Sequence, residues 1–166
     1  MTIHAFQGRR HPAAASRGVS LIEVLIAVLI LAIGLLGIAA LQASALRNSQ
    51  SSLERSQAVI YTYSILDAMR ANPLVARAGT YNQVLPAGAC VIPAASATDL
   101  SANDRRQWLQ KIQQNLGTTA CGSINCTIVA APNYSQCAVS VRWDDSRGTS
   151  GVAAGTLSTI TTVSQL

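Results

Sequence analysis

Glu23 is the only charge in a long apolar run, GVSLIEVLIAVLILAIGLLGIAAL, residues 18–41, and no charged residue follows it until Arg47. The uncharged stretch from Val24 to Leu46 is long enough to cross a bilayer core of roughly 30 Å as one helix. A carboxylate held beside hydrocarbon is expensive, so its presence there points to a function that requires it. Just upstream stand Arg9, Arg10 and Arg17, then Gly18. Other candidate chemistry is sparse. The only histidines, His4 and His11, precede Gly18, so a chain starting at Val19 has none. That excludes Ser-His-Asp and Cys-His triads and histidine metal sites. No G-x-S-x-G, Walker A or G-x-G-x-x-G motif occurs. Asp144 and Asp145 are adjacent and on a strand would face opposite ways. A turn is the simpler reading; calcium is the alternative, and EF-hand spacing is absent. Asn125-Cys126-Thr127 and Asn133-Tyr134-Ser135 match glycosylation sequons, as short tripeptides do by chance. The reading is a non-enzyme with no cofactor and no metal.

Cys90, Cys121, Cys126 and Cys137 all lie in the C-terminal half. They suit disulfides in an oxidising compartment, and four cysteines allow three pairings. We favour Cys90–Cys121 with Cys126–Cys137. A zinc site is the alternative, although Cys121-x₄-Cys126 is the only close pair. The formal charge of +5 rests on twelve basic against seven acidic residues. Cleavage after Gly18 would remove three arginines and leave a nearly balanced chain with no basic stripe, which argues against a nucleic-acid partner. Basic residues before a membrane span stay on the cytoplasmic side, which sends the rest of the chain outward.

The elements around these residues divide the chain into four parts. Residues 1–18 are a basic leader. Residues 19–46 are the membrane half of a long helix and 47–72 its amphipathic half. Residues 73–166 form a small globular domain. The helix meets no proline until Pro73 and would be roughly 80 Å long at 1.5 Å per residue. Leu46, Leu53, Ile60 and Leu66, with Ala45, Val59, Tyr63 and Met69, recur at helical spacing and predict one buried stripe. Ser49, Ser51, Ser52, Glu54 and Arg55 suit the exposed side. Asn72-Pro73 ends the helix. Residues 73–98 read as loop, and residues 99–116 as a second helix. Ser101 and Asp104 resemble its capping box, with Trp108, Leu109, Ile112 and Leu116 on one face and Gly117 as its stop. Residues 137–143 alternate as a strand, with Val139, Val141 and Trp143 on one side. Residues 156–163 would pair back antiparallel, 126–130 read as a further short strand, and 144–155 read as a turn-rich loop. Gly34-x-x-Gly37 leaves small residues on the membrane helix. Trp108 and Trp143 are read as core.

Two simpler accounts of the apolar run compete. A secretory signal peptide has a shorter apolar core and a cleavage site after it, and the only A-x-A-like text there is Ala43-Ser44-Ala45. A plain transmembrane anchor gives no reason for Glu23.

The sequence Gly18-Val19-Ser20-Leu21-Ile22-Glu23 resembles the type IV pilin and pseudopilin N-terminus. The resemblance implies cleavage after Gly18 by prepilin peptidase and methylation of the new amino terminus at Val19, where most of the family has phenylalanine. It implies that Glu23 meets the N-terminal ammonium of a neighbouring subunit, and that Leu25, Leu29, Gly34 and Gly37 lie on the assembling helix. Many major pilins carry a mid-helix proline; here Ala40 stands about there. The run LIEVLIAVLILAIGLLGIAALQ, then Asp67-Ala68-Met69-Arg70-Ala71-Asn72-Pro73, and Trp143-Asp144, is similar to the PilV-type minor pilins, the type IV pilus modification proteins. This implies an α+β fold, a long N-terminal helix packed on a small antiparallel sheet with a disulfide-containing C-terminal region. It implies a low-abundance subunit in the inner membrane with its C-terminal domain in the periplasm. Its partners would be other minor pilins, the major pilin, prepilin peptidase, the pilus assembly platform and inner-membrane lipid. It would help prime a fibre and enter the fibre or its tip. The alternatives are a minor pseudopilin of type II secretion and a single-pass anchored periplasmic binding domain.

Overall fold

The computed structural model describes residues 18–129, 134–146, 148 and 156–166. The leader up to residue 17 and most of the turn-rich 144–155 segment lie outside these residues. The elements are α1 (Leu21–Ala71), α2 (Pro73–Arg77), α3 (Leu100–Leu116), β1 (Cys121–Val129), β2 (Tyr134–Asp144) and β3 (Leu157–Gln165). The fold is α+β. The chain divides into two compact units, residues 1–41 and 42–166.

In the first unit every described residue is exposed, as a helix composed almost wholly of Leu, Ile, Val, Ala and Gly can be only in lipid or against other helices. α1 is long and apolar enough to cross a membrane.

The second unit holds the core. Its sheet has the order β1-β2-β3, antiparallel throughout. The alternation of β2 puts Cys137, Val139, Val141 and Trp143 inside and Ala138, Ser140 and Arg142 towards the outer face. Against the inner face lie Ile65, Leu66 and Met69 of α1 and Trp108, Leu109, Ile112 and Leu116 of α3. Both tryptophans are core, and the Trp108 indole N–H donates to the carbonyl of Tyr61 at 2.8 Å.

The face that α1 buries is not the one its hydrophobic periodicity predicts. Leu66 and Met69 are buried, but Leu46, Leu53 and Ile60 are 72%, 58% and 62% exposed, and Val59 and Tyr63 are exposed too. Ser51, Glu54, Ala58 and Thr62 are buried in their place. The reason is a polar seat. Asp145, itself buried, accepts from the Ser51 hydroxyl at 3.0 Å and the Ser158 hydroxyl at 3.3 Å, with the Arg55 guanidinium 3.6 Å away. The Thr62 and Thr162 hydroxyls meet at 2.8 Å. Small side chains that satisfy one another let helix and sheet approach, and Leu53 and Ile60 are left outside.

Other local readings shift. The cap of α3 is Asp99, not Ser101: the Asp99 carboxylate accepts from the Ala102 N–H at 3.1 Å and the Ser101 hydroxyl at 2.7 Å. Asp104 instead accepts the Tyr81 phenol at 2.6 Å. Part of the predicted 73–98 loop is helical, because Pro73 at the start of α2 needs no N–H partner. β1 begins at Cys121, five residues earlier than expected. Its outer edge is closed by a bridge to Gln83 (2.8 and 2.9 Å) and by the Asn82 side chain, which pairs with the Cys126 N–H and carbonyl.

Candidate functional site: the head of the N-terminal helix

The site is built from the first turn of α1. The backbone N–H groups of Glu23 and Val24 both donate to the Ser20 carbonyl, at 3.0 and 3.2 Å, so Ser20 opens the helix and Glu23 falls in its first turn. The helix dipole favours a carboxylate there. Among the described residues no ion pair to Glu23 is formed within the chain, and Val19, Val24, Leu25 and Leu29 around it are exposed. Any cation that pairs with this acid lies outside the described residues. Gly34 and Gly37 have open space where a side chain would be, so another helix can come close to the backbone there. The structure thus puts Gly18, Val19, Glu23, Leu25 and Leu29 at one end of one exposed helix, with Gly34 and Gly37 farther along it.

The remaining candidates lie in the second unit and serve the fold. The cysteines form disulfides Cys90–Cys121 and Cys126–Cys137. All four sulfurs are consumed, so the four-thiolate zinc alternative does not arise. Cys126 and Cys137 face each other across β1 and β2, whereas Cys90–Cys121 ties the long connection after α2 to the start of β1. The Arg142 guanidinium secures the same connection by donating to the Pro86 carbonyl at 2.6 Å. Asp145 is occupied by its seat on α1 and β3.

Two titrations are displaced. Burial first, and then the hydrogen bond to Asp104, push the Tyr81 phenol up from 10.0 to about 12. The Ser101 hydroxyl and the Ala102 N–H hold Asp99 below the ordinary carboxylate value. Both are structural, a core clasp and a helix cap.

Sequence reasoning missed the Asp145 seat and the Tyr81–Asp104 clasp, because both join residues far apart in the chain.

The head of α1 lies inside a segment, residues 14–39, that matches the prokaryotic N-terminal methylation motif. The motif and the α+β fold together fit a type IV pilin-like protein. No curated protein and no solved structure matches it.

Proposed function

We propose that this protein is a minor pilin of the PilV type, a structural subunit that helps prime a type IV pilus and enters the fibre or its tip. The observation that carries the reading is Glu23 in the first turn of an exposed apolar helix, within the methylation motif. Prepilin peptidase cleaves after Gly18 and frees the amino group of Val19. In assembly that group, on a neighbouring subunit, meets Glu23. Two opposite charges in a low-dielectric surrounding strongly favour each other while either alone is costly, so the pair fixes the register of adjacent helices. Leu25, Leu29, Gly34 and Gly37 pack against those neighbours. Before assembly the helix rests in inner-membrane lipid with residues 73–166 in the periplasm, which the two disulfides support. The exposed apolar stripe of Leu46, Leu53 and Ile60 supports helix packing beyond the membrane half. The other minor pilins, the major pilin and the assembly platform are the partners, and the role is mechanical, not catalytic.

The test is the N-terminal residue and mass of the protein from membranes and from sheared surface fibres. Methylated Val19 at the start, with protein in the fibre fraction, is the expected result. An intact Met1, or cleavage beyond Leu41, overturns the proposal, and a processed protein confined to membranes of a type II secretion strain favours the pseudopilin alternative.

A further inference from the structure

The two edges of the sheet are treated differently. The outer edge of β1 is closed by Gln83 and Asn82, as described above. Among the described residues, no segment pairs with the outer edge of β3. Leu166 exchanges both backbone hydrogen bonds with Ser135, and the register then turns the N–H and C=O groups of Ser164, Thr162, Ile160 and Ser158 towards β2. The backbone groups of Leu157, Thr159, Thr161 and Val163 point the other way, and among the described residues no backbone hydrogen bond reaches them. β3 is nine residues long, LSTITTVSQ, with no charge, proline or glycine. Proteins ordinarily protect such an edge with lysine, proline, a bulge or a covering segment.

A second feature borders this edge. Val59, Tyr63 and Arg70 lie on one line of α1, at i, i+4 and i+11, and the Arg70 guanidinium reaches the β3 Ser164 hydroxyl at 2.9 Å. Val59 and Tyr63 therefore flank the β3 side of the helix, and they are 36% and 50% exposed. A strand laid beside β3 would hydrogen-bond to Leu157, Thr159, Thr161 and Val163. Every second side chain of it would turn towards Val59 and Tyr63.

We propose that the outer edge of β3, with the Val59–Tyr63 flank of α1, is a docking site for an uncharged extended strand of a different subunit of the assembly, added to the sheet as a fourth strand. The strand's inward side chains are apolar, to cover Val59 and Tyr63; its outward ones are small and polar, to continue the Thr159–Thr161 face. A second copy of this chain is the poorer fit. Its own β3 would bring Ser158, Thr162 and Ser164 onto the apolar flank, with Ile160 as the only apolar residue among them. That the partner is a fellow subunit rests on the proposed function; that a strand docks rests on the edge itself.

The experiment places a photo-crosslinking amino acid at Val163 of the full-length protein in its native cells, with a second probe at Ser140 on the outer face of β2 as control, and maps adducts by mass spectrometry. The expected result is an adduct from Val163, absent from Ser140, at alternate residues of one segment of another pilin-like subunit. Thr161→Pro removes one outward N–H at a position where an edge strand tolerates proline, and should lower that adduct by about fivefold, the worth of one backbone hydrogen bond. Thr161→Lys, which leaves the backbone intact, should lower it as well. No adduct from Val163, an adduct to Val163's own counterpart in a second copy, or adducts indifferent to both substitutions overturns the proposal. Fibre fractionation of the same cells separates the two readings: an adduct in membranes with no protein in fibres removes the pilus role and leaves the docked strand standing.

Discussion

At the scale of single residues, chemistry and packing are separated along the chain. Glu23 is the one charge within the apolar run of α1, and among the described residues no ion pair holds it. Glu23→Ala should therefore leave the protein in the membrane, where a neutral side chain is cheaper, and lower its recovery in sheared fibres; normal recovery would remove Glu23 from assembly. Gly122 makes a different demand. A Cβ there would run into the ring of Trp108, because the strand backbone lies directly on the indole. Gly122→Ala should cost ~1–3 kcal/mol by overpacking, read as a lowered midpoint in denaturant unfolding of the detergent-solubilised protein. Tyr81 carries a pH signature. Its folded pKa of about 12 lies above the ordinary 10.0, so the native state keeps its proton where the unfolded state has lost it. Its contribution is fully present below pH 10 and fades as pH rises towards about 12. Tyr81→Phe should flatten the fall of melting temperature across that window; an unchanged slope would show that Tyr81 is not the group responsible.

At the scale of elements, the sequence was legible wherever a residue's neighbours in the chain decide its place. The α1 exit at Asn72-Pro73, the apolar face of α3, the alternation of β2 and the antiparallel return of β3 follow from local periodicity and are present. The head of α1 was legible for the same reason, since one acid in an apolar run needs no tertiary information. The burial of the second half of α1 was not. Its apolar residues mark one stripe, but the seat on the sheet is made by Asp145 and Thr162, more than ninety residues away, and they select Ser51 and Thr62. Pattern reading assumes that the most apolar face goes inward, and that fails when a helix has a second apolar obligation. The disulfides divide in the same way. Cys126–Cys137 closes a separation of 11 residues within a hairpin the sheet already holds, while Cys90–Cys121 spans 31 and fixes an irregular connection. Replacing Cys90 and Cys121 by serine should cost about 3 kcal/mol or somewhat more by chain entropy, and replacing Cys126 and Cys137 less. Denaturant midpoints of the two double variants give the order, and the reverse order would mean that the 78–98 connection is held chiefly by contacts such as Arg142 to Pro86.

At the scale of the molecule, the distribution of apolar surface favours assembly. Leu46, Leu53 and Ile60 stay outside while Ser51 and Glu54 are buried on the same helix, which leaves an apolar line open to a partner. The seven-residue spacing keeps these three on one line, as a helix needs if it is to lie along another. The domain does not depend on them: they lie opposite the buried face, and exposed positions of this kind change stability by about 0.5 kcal/mol or less. Leu53→Gln combined with Ile60→Gln should therefore leave the melting temperature and disulfides of the full-length protein as they are while reducing its share in sheared fibres. Ile65→Ala, on the buried face, should do the opposite at first hand: it opens a cavity under the sheet, costs about 2–5 kcal/mol, and affects fibres only through lost protein. Measuring stability and fibre content for both variants separates the two faces of α1. If the Leu53/Ile60 variant melts early, the stripe is core after all and the domain packs differently; if it melts normally and assembles normally, the stripe is not an assembly surface, and α1 engages its neighbours through the stretch before Leu46 alone.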